Sequence, residues 1–399
     1  MGVVSEDATN EFPRGVTFSI SLRADPPPKE VRVQYHLAPD GTGASAVADC
    51  SEGATITCTH TLTSGAGIFI IPGANITWHW EVTDASGQRT NTPDKLYVHQ
   101  DTRFTFQTLQ QGDITLYYHS GSEAQARAVL QAAAETLDRI GQLEQTQVNF
   151  PVKVFLYETA DEMQPAIAPG GVGRGVQVLG EVVYSDTAMV SADVATLDIT
   201  RHEVAHIVTR QATKGPFDVP GWLNEGISVY AQSRPLAGHA EALQSAIDRD
   251  RVLSMRELNS SASGSTASTV GLYYGQAGSI VKYLVDTYGA EKFAQLLRTF
   301  KAGSTVDKAF QTVYGFDSLG LENEWRASVG LGPRSASPTL TPAPTEQARA
   351  APTSSARQPS GAGAADGGTS WVLVGVIAGL VAAVVVAAAA FVVLLRQRL

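Results

Sequence analysis

Apolar and polar residues alternate through much of the first hundred positions. Val16, Phe18, Ile20 and Leu22 fall on one side of a two-residue repeat, as do Val31, Val33 and Tyr35, and then Ile76, Trp78, Trp80 and Val82. A period of two sends successive side chains to opposite faces of a strand, so each run reads as a half-buried strand. Pro26-Pro27-Pro28, Asp40-Gly41, Pro72-Gly73 and Ser86-Gly87 separate the runs with turn chemistry. Short strands at this spacing predict a small two-sheet sandwich over residues 1–103, with one of Trp78 and Trp80 in its core.

The pattern changes after residue 103. A strand over 114–118 leads into a helix over 122–142, where Ala126, Val129, Leu130, Ala133, Leu137 and Ile140 form one apolar stripe. Further strands are expected over 152–157 and, as a pair or a bent strand, over 175–184. Helices follow over 194–212, with Asp193 as N-cap, and from Pro220-Gly221 onwards. Others are expected over 236–250, 272–288, 290–301 and 305–314, with a last one towards 331. Residues 104–332 therefore read as one α+β domain. From 333 to 370 the chain is Pro, Ser, Thr, Ala and Gly with scarcely an apolar anchor, the composition of a flexible stalk.

Residues 371–395 carry no charge, and as a helix at 1.5 Å per residue they would span about 37 Å, enough to cross a bilayer. Arg396 and Arg398 follow, so the positive-inside rule puts the 396–399 tail in the cytoplasm and the body outside. Residues 1–17 hold no run of signal-peptide length, and an export signal missing from the given sequence is the expected explanation. Cys50 and Cys58 lie close together in a Ser/Thr-rich stretch, and an oxidising compartment would preserve a local bridge between them.

The chemistry gathers in His202-Glu203-Val204-Ala205-His206. Two histidines four apart sit one turn apart on one helix face, so both imidazoles can reach a single metal ion. Glu203 is placed to take a proton from a water that such an ion activates. A catalytic zinc needs a third protein ligand. Glu225, in Gly221-Trp222-Leu223-Asn224-Glu225-Gly226, stands on what reads as a neighbouring helix. Asp198, a turn before His202, could orient a histidine, and Asn224 could serve the site or a substrate.

This pair of motifs resembles the gluzincins, and most closely the peptidase-MA-like zinc metallopeptidases, over residues 113–330. The resemblance implies one Zn2+ per chain on His202, His206 and Glu225, with Glu203 as general base in peptide hydrolysis. It implies a strand just ahead of the zinc helix that pairs with substrate backbone, which the 175–184 stretch would supply. It also implies a hydroxyl opposite the metal for the oxyanion, with Tyr274 the first candidate and Tyr273 the second. The Gly-x-Met-Glu-Asn motif of the aminopeptidase branch has no match, so no amino-terminal exopeptidase is expected.

The expected architecture is a gluzincin-like α+β domain preceded by an immunoglobulin- or fibronectin-like sandwich and followed by a stalk and one transmembrane helix. Its partners would be a peptide or protein substrate and the membrane. The net charge of −10 comes with no basic stripe, which argues against nucleic acid. The rival function is a cell-surface binding or adhesion ectodomain on a peptidase-like scaffold with little or no turnover.

Overall fold

The structure is a computed structural model that describes residues 2–38, 42–65, 68–168, 180–192, 195–260 and 267–335. The N-terminal region holds β1 (Gly2–Asn10), β2 (Gly15–Arg23), β3 (Glu30–Ala38), β4 (Thr42–Val47), β5 (Asp49–Cys50), β6 (Ile56–Thr63), β7 (Asn75–Thr83), β8 (Arg89–Asn91) and β9 (Lys95–Val98). They form two antiparallel sheets, one ordered β1-β2-β6-β5 and the other β4-β3-β7-β8 with β9 also on β7. The alternating positions face inward as expected. Val16, Phe18, Ile20 and Leu22 meet Val31, Val33, Ile76 and Trp80 in one buried cluster. Both tryptophans belong to that core, Trp78 and Trp80 packing edge to face at 6.4 Å, where the sequence pattern required only one. Cys50 and Cys58 oppose each other across β5 and β6 and are disulfide-bonded.

The second region is a sheet backed by helices. Its strands are β10 (Gln107–Gln111), β11 (Ile114–Tyr118), β12 (Val152–Tyr157), β13 (Gly180–Tyr184) and β14 (Thr187–Ser191). They run in the order β10-β11-β12-β14-β13, parallel through β11, β12 and β14 and antiparallel at both edges. Helix α1 (Glu123–Glu144) crosses between β11 and β12, started by the Ser122 hydroxyl accepting from the Gln125 N–H. The interior strand β14, from which the chain passes to the helix that carries His202 and His206, escaped the sequence reading. It is buried on both faces and shows no alternation to read.

Strand β12 shows why the two regions hold together. Val152, Val154 and Leu156 face α1 and the helical side, whereas Phe155 and Tyr157 enter the N-terminal cluster. The junction is also polar: Lys153 Nζ donates to Gly73 O at 2.7 Å, and the Tyr157 hydroxyl donates to Asp101 at 3.1 Å.

After the short α2 (Ala160–Met163), the helical part comprises α3 (Thr196–Thr213), α4 (Gly221–Ala231), α5 (Ala237–Asp248), α6 (Met255–Leu258), α7 (Ala267–Lys301), α8 (Val306–Tyr314) and α9 (Ser318–Ser328). The two helices expected on either side of residue 289 are the two parts of α7, which meet at a kink where Gly289, with a φ of 82°, leaves the helical path. Helix α3 starts at Thr196 with Ala195 ahead of it and no side-chain cap. The expected N-cap Asp193 and residues 175–179 lie outside the described residues, as do the 371–395 span and all but the first three residues of the 333–370 stalk. Among the described residues, no helix is long and apolar enough to cross a membrane.

Candidate metal centre

Helix α3 is buried on almost every side, which accounts for its uncharged Val204, Ala205, Ile207 and Val208. Helix α4 packs beside it, with Trp222 and Leu223 fully buried. Close approach of α4 to α7 depends on Gly226, because a Cβ there would stand 2.6 Å from Ala277 O and 2.8 Å from Val281 Cγ2. The glycine beside the glutamate is therefore a packing requirement that sets the depth of Glu225.

The three residues expected to share a metal come together. One ligand atom from each of His202, His206 and Glu225 lies within 4.8 Å of the others, and all three side chains are buried. His202 Nε2 is 3.2 Å from Glu225 Oε2, and His206 Nε2 is 3.6 Å from the same oxygen. This is the only such metal-ligating group among the described residues. His79 and His119 instead pair with Asp94 and Glu162.

Electrostatics suit a cation. Burial pushes His202 down to about 3 and lowers His206 as well, against the pull of Glu225, so both imidazoles are neutral at pH 7. Burial pushes the Glu225 carboxyl up to about 7, opposed by His206 and by the Tyr274 hydroxyl. His206 Nε2 and Glu225 Oε1 are buried without a hydrogen-bond partner. Two neutral imidazoles and a carboxylate with unmet acceptors are a donor set that a divalent cation satisfies.

The surroundings sort the remaining expectations. Glu203 is fully buried on the same helix. Tyr274 on α7 packs 5.9 Å from the His202 ring and its hydroxyl reaches Glu225, while Tyr273 packs edge-on to Tyr274. Asn224 acts on His206, opposing the downward shift that burial imposes on that imidazole. Asp198 serves no histidine. Its carboxylate accepts from Arg201 and from the Ser233 N–H, which ties α3 to the end of α4.

Three neighbours escaped the sequence reading. The Ser228 hydroxyl is 3.1 Å from His206 Nδ1, and Gln232 Nε2 is 3.5 Å from His202 Nδ1. They stand three and seven residues after Glu225, on the same helical face, so a wheel drawn from Glu225 would have found them. His239 is buried and stacked on Tyr274, with ring centroids 5.2 Å apart. It comes from α5, folded over α7, and no local pattern announces it. A cavity of about 990 Å³ around Pro27, Pro28 and Cys50 is lined by none of these residues.

Residues 132–330 match the profile of the Peptidase MA superfamily. This chain carries a gluzincin-type zinc metallopeptidase domain of that superfamily. No curated protein matches the chain. Solved structures resembling it include an M1 zinc metallopeptidase from Deinococcus radiodurans, at 16% identity over 78% of this chain and 63% of that one, with a TM-score of 0.35. A two-domain M1 zinc metallopeptidase variant bound to L-arginine matches at 16% identity over 80% of this chain and 64% of that one, TM-score 0.36. An aminopeptidase N family protein from Idiomarina loihiensis matches at 9% identity over 83% and 76%, TM-score 0.38. The chain thus spans less than two thirds of the length of the first two.

Proposed function

We propose that this protein hydrolyses peptide bonds, with one zinc ion held by His202, His206 and Glu225. The observation that carries the reading is the buried convergence of those three ligand atoms on helices whose packing fixes them there. Zinc bound in such a site supplies an electrophile that polarises a carbonyl and brings the pKa of a water close to neutrality. The chain's own residues do the rest. Glu203, adjacent to His202 and fully buried, takes the proton of the attacking water and passes it to the leaving amine nitrogen. Tyr274, beside Glu225 and His202, donates its hydroxyl proton in a hydrogen bond to the carbonyl oxygen as negative charge builds there. The low-dielectric surroundings strengthen both interactions.

The substrate class is a peptide or protein. Support for a backbone-pairing edge comes from β13, which lies at the end of the sheet next to the interior strand that precedes α3. The N-terminal sheets constitute an immunoglobulin- or fibronectin-like domain over 1–103, and the peptidase domain occupies 104–332. The apolar 371–395 segment anchors this body outside the cytoplasm. The sequence features that support that placement are the stalk composition and the terminal arginines.

Metal content of the purified 399-residue protein is the test, beside His202→Ala, Glu225→Ala and Glu203→Gln variants. About one zinc per chain is expected in the wild type and in Glu203→Gln, and little in the two ligand variants. Hydrolysis of a peptide library should fall by roughly 10²–10⁴ in Glu203→Gln. A wild type that takes up no zinc when it is offered would end the proposal, and zinc without any cleavage would favour the adhesion scaffold.

A further inference from the structure

Gln232 caps the C-terminal end of α4 beside the metal-binding helix. It is 6% exposed, and it presents its amide to His202 Nδ1 at 3.5 Å. The amide oxygen, Oε1, is buried with no partner, while the nitrogen faces the imidazole. A histidine that gives its Nε2 lone pair to a metal carries its proton on Nδ1, and that proton needs an acceptor. His202 Nε2 is the atom turned towards Glu225, so Nδ1 is its outer nitrogen. Rotating the Gln232 amide by half a turn exchanges its oxygen and nitrogen, two groups of nearly the same size. The oxygen then faces the Nδ1 proton and loses its orphan status in the same movement.

We infer that Gln232 is a positioning residue for the zinc ligand His202, accepting the Nδ1 proton through its side-chain oxygen and so fixing the imidazole with Nε2 towards the metal. The inference rests on the zinc reading above. His206 is treated alike, its Nδ1 meeting the Ser228 hydroxyl at 3.1 Å. Both histidines are therefore oriented by neutral groups on one face of α4. A neutral acceptor raises the basicity of an imidazole less than a carboxylate would, so this site binds its metal less tightly than the same geometry backed by an acid. That makes a directional prediction. Gln232→Leu should weaken zinc binding, and Gln232→Glu should tighten it.

The experiment is competition for zinc between the full chain and a chromophoric chelator, at fixed pH, with the melting temperature of each metal-free protein measured alongside. Gln232→Leu is expected to raise the zinc dissociation constant by about 10–100-fold. Gln232→Glu is expected to lower it below the wild-type value. Equal affinity in wild type and Gln232→Leu would overturn the inference while leaving the three-ligand site intact. Weakening in Gln232→Glu as severe as in Gln232→Leu would also overturn it, because a carboxylate keeps the acceptor. If Gln232→Leu lowers the metal-free melting temperature, Gln232→Met supplies an apolar side chain of closer length, and unchanged affinity there would be equally decisive. A wild type that binds no zinc refutes both this inference and the reading beneath it, a result separable from the others by the wild-type titration alone.

Discussion

At the scale of single residues, burial sets the protonation of this protein as much as pairing does. Glu144 shows it away from the metal group. It ends α1, is 2% exposed, and accepts a hydrogen bond from the Thr209 hydroxyl at 2.7 Å. Burial pushes its carboxyl up to about 8, against that hydrogen bond. A carboxyl whose folded pKa lies above its ordinary value of 4.5 is held neutral by the fold, and unfolding releases it to ionise. Its contribution is complete below pH 4.5 and is lost as pH rises towards 8. Glu144→Gln should therefore gain stability over the wild type at pH 8 and show no gain at pH 4. Chemical denaturation at the two pH values checks this, and an equal effect at both would contradict the assignment.

Elements bring these residues into register, and here helix spacing and helix packing act together. The i, i+4 histidines were legible because a single helix fixes their relation. The distance from α3 to Glu225 is set instead by how closely α4 can sit on α7, and Gly226 controls that approach. Gly226→Ala would press a methyl group into the Ala277 carbonyl, a backbone atom that cannot step aside. The expected cost is about 1–3 kcal/mol, as for overpacked cores generally. Because the shift moves α4, zinc affinity should fall along with the melting temperature. A variant that lost stability but kept zinc affinity would show that α4 tolerates the displacement. Asp198 illustrates the opposite limit of element-level reasoning. Its spacing put it on the histidine face, yet the end of α4 offered it the Ser233 N–H and it turned there.

For the molecule as a whole, the division near residue 103 crosses a shared core. Phe155 and Tyr157 from the metallopeptidase sheet lie in the same buried cluster as Trp80 and Phe18. Phe155 is stacked on Tyr117 at 4.5 Å and edge-on to Phe106 at 5.5 Å. Phe155→Ala should cost about 3–5 kcal/mol, the range for deleting a buried aromatic ring. The N-terminal sheets and the helical part should then melt together at a lower temperature, since the deletion opens the surface they share. Two separated transitions in calorimetry of the wild type would mean that the regions fold independently despite this contact.

The sequence by itself determined three strands of the N-terminal sheets, β2, β3 and β7, the helix stripe of α1, and the pattern of His202, His206 and Glu225 as ligands with Glu203 beside them, readable from spacing and neighbours. Those features are local, written in periods of two and of 3.6 and in one helical turn. Only the tertiary structure decided that Trp78 and Trp80 are both core, that Asp198 braces α4, and that His239 stacks on Tyr274 from another helix. It also decided that Ser228 and Gln232 stand behind the histidines. Each of these depends on which surface packs against which. That is settled by close packing between elements far apart in the chain, and no local periodicity records it.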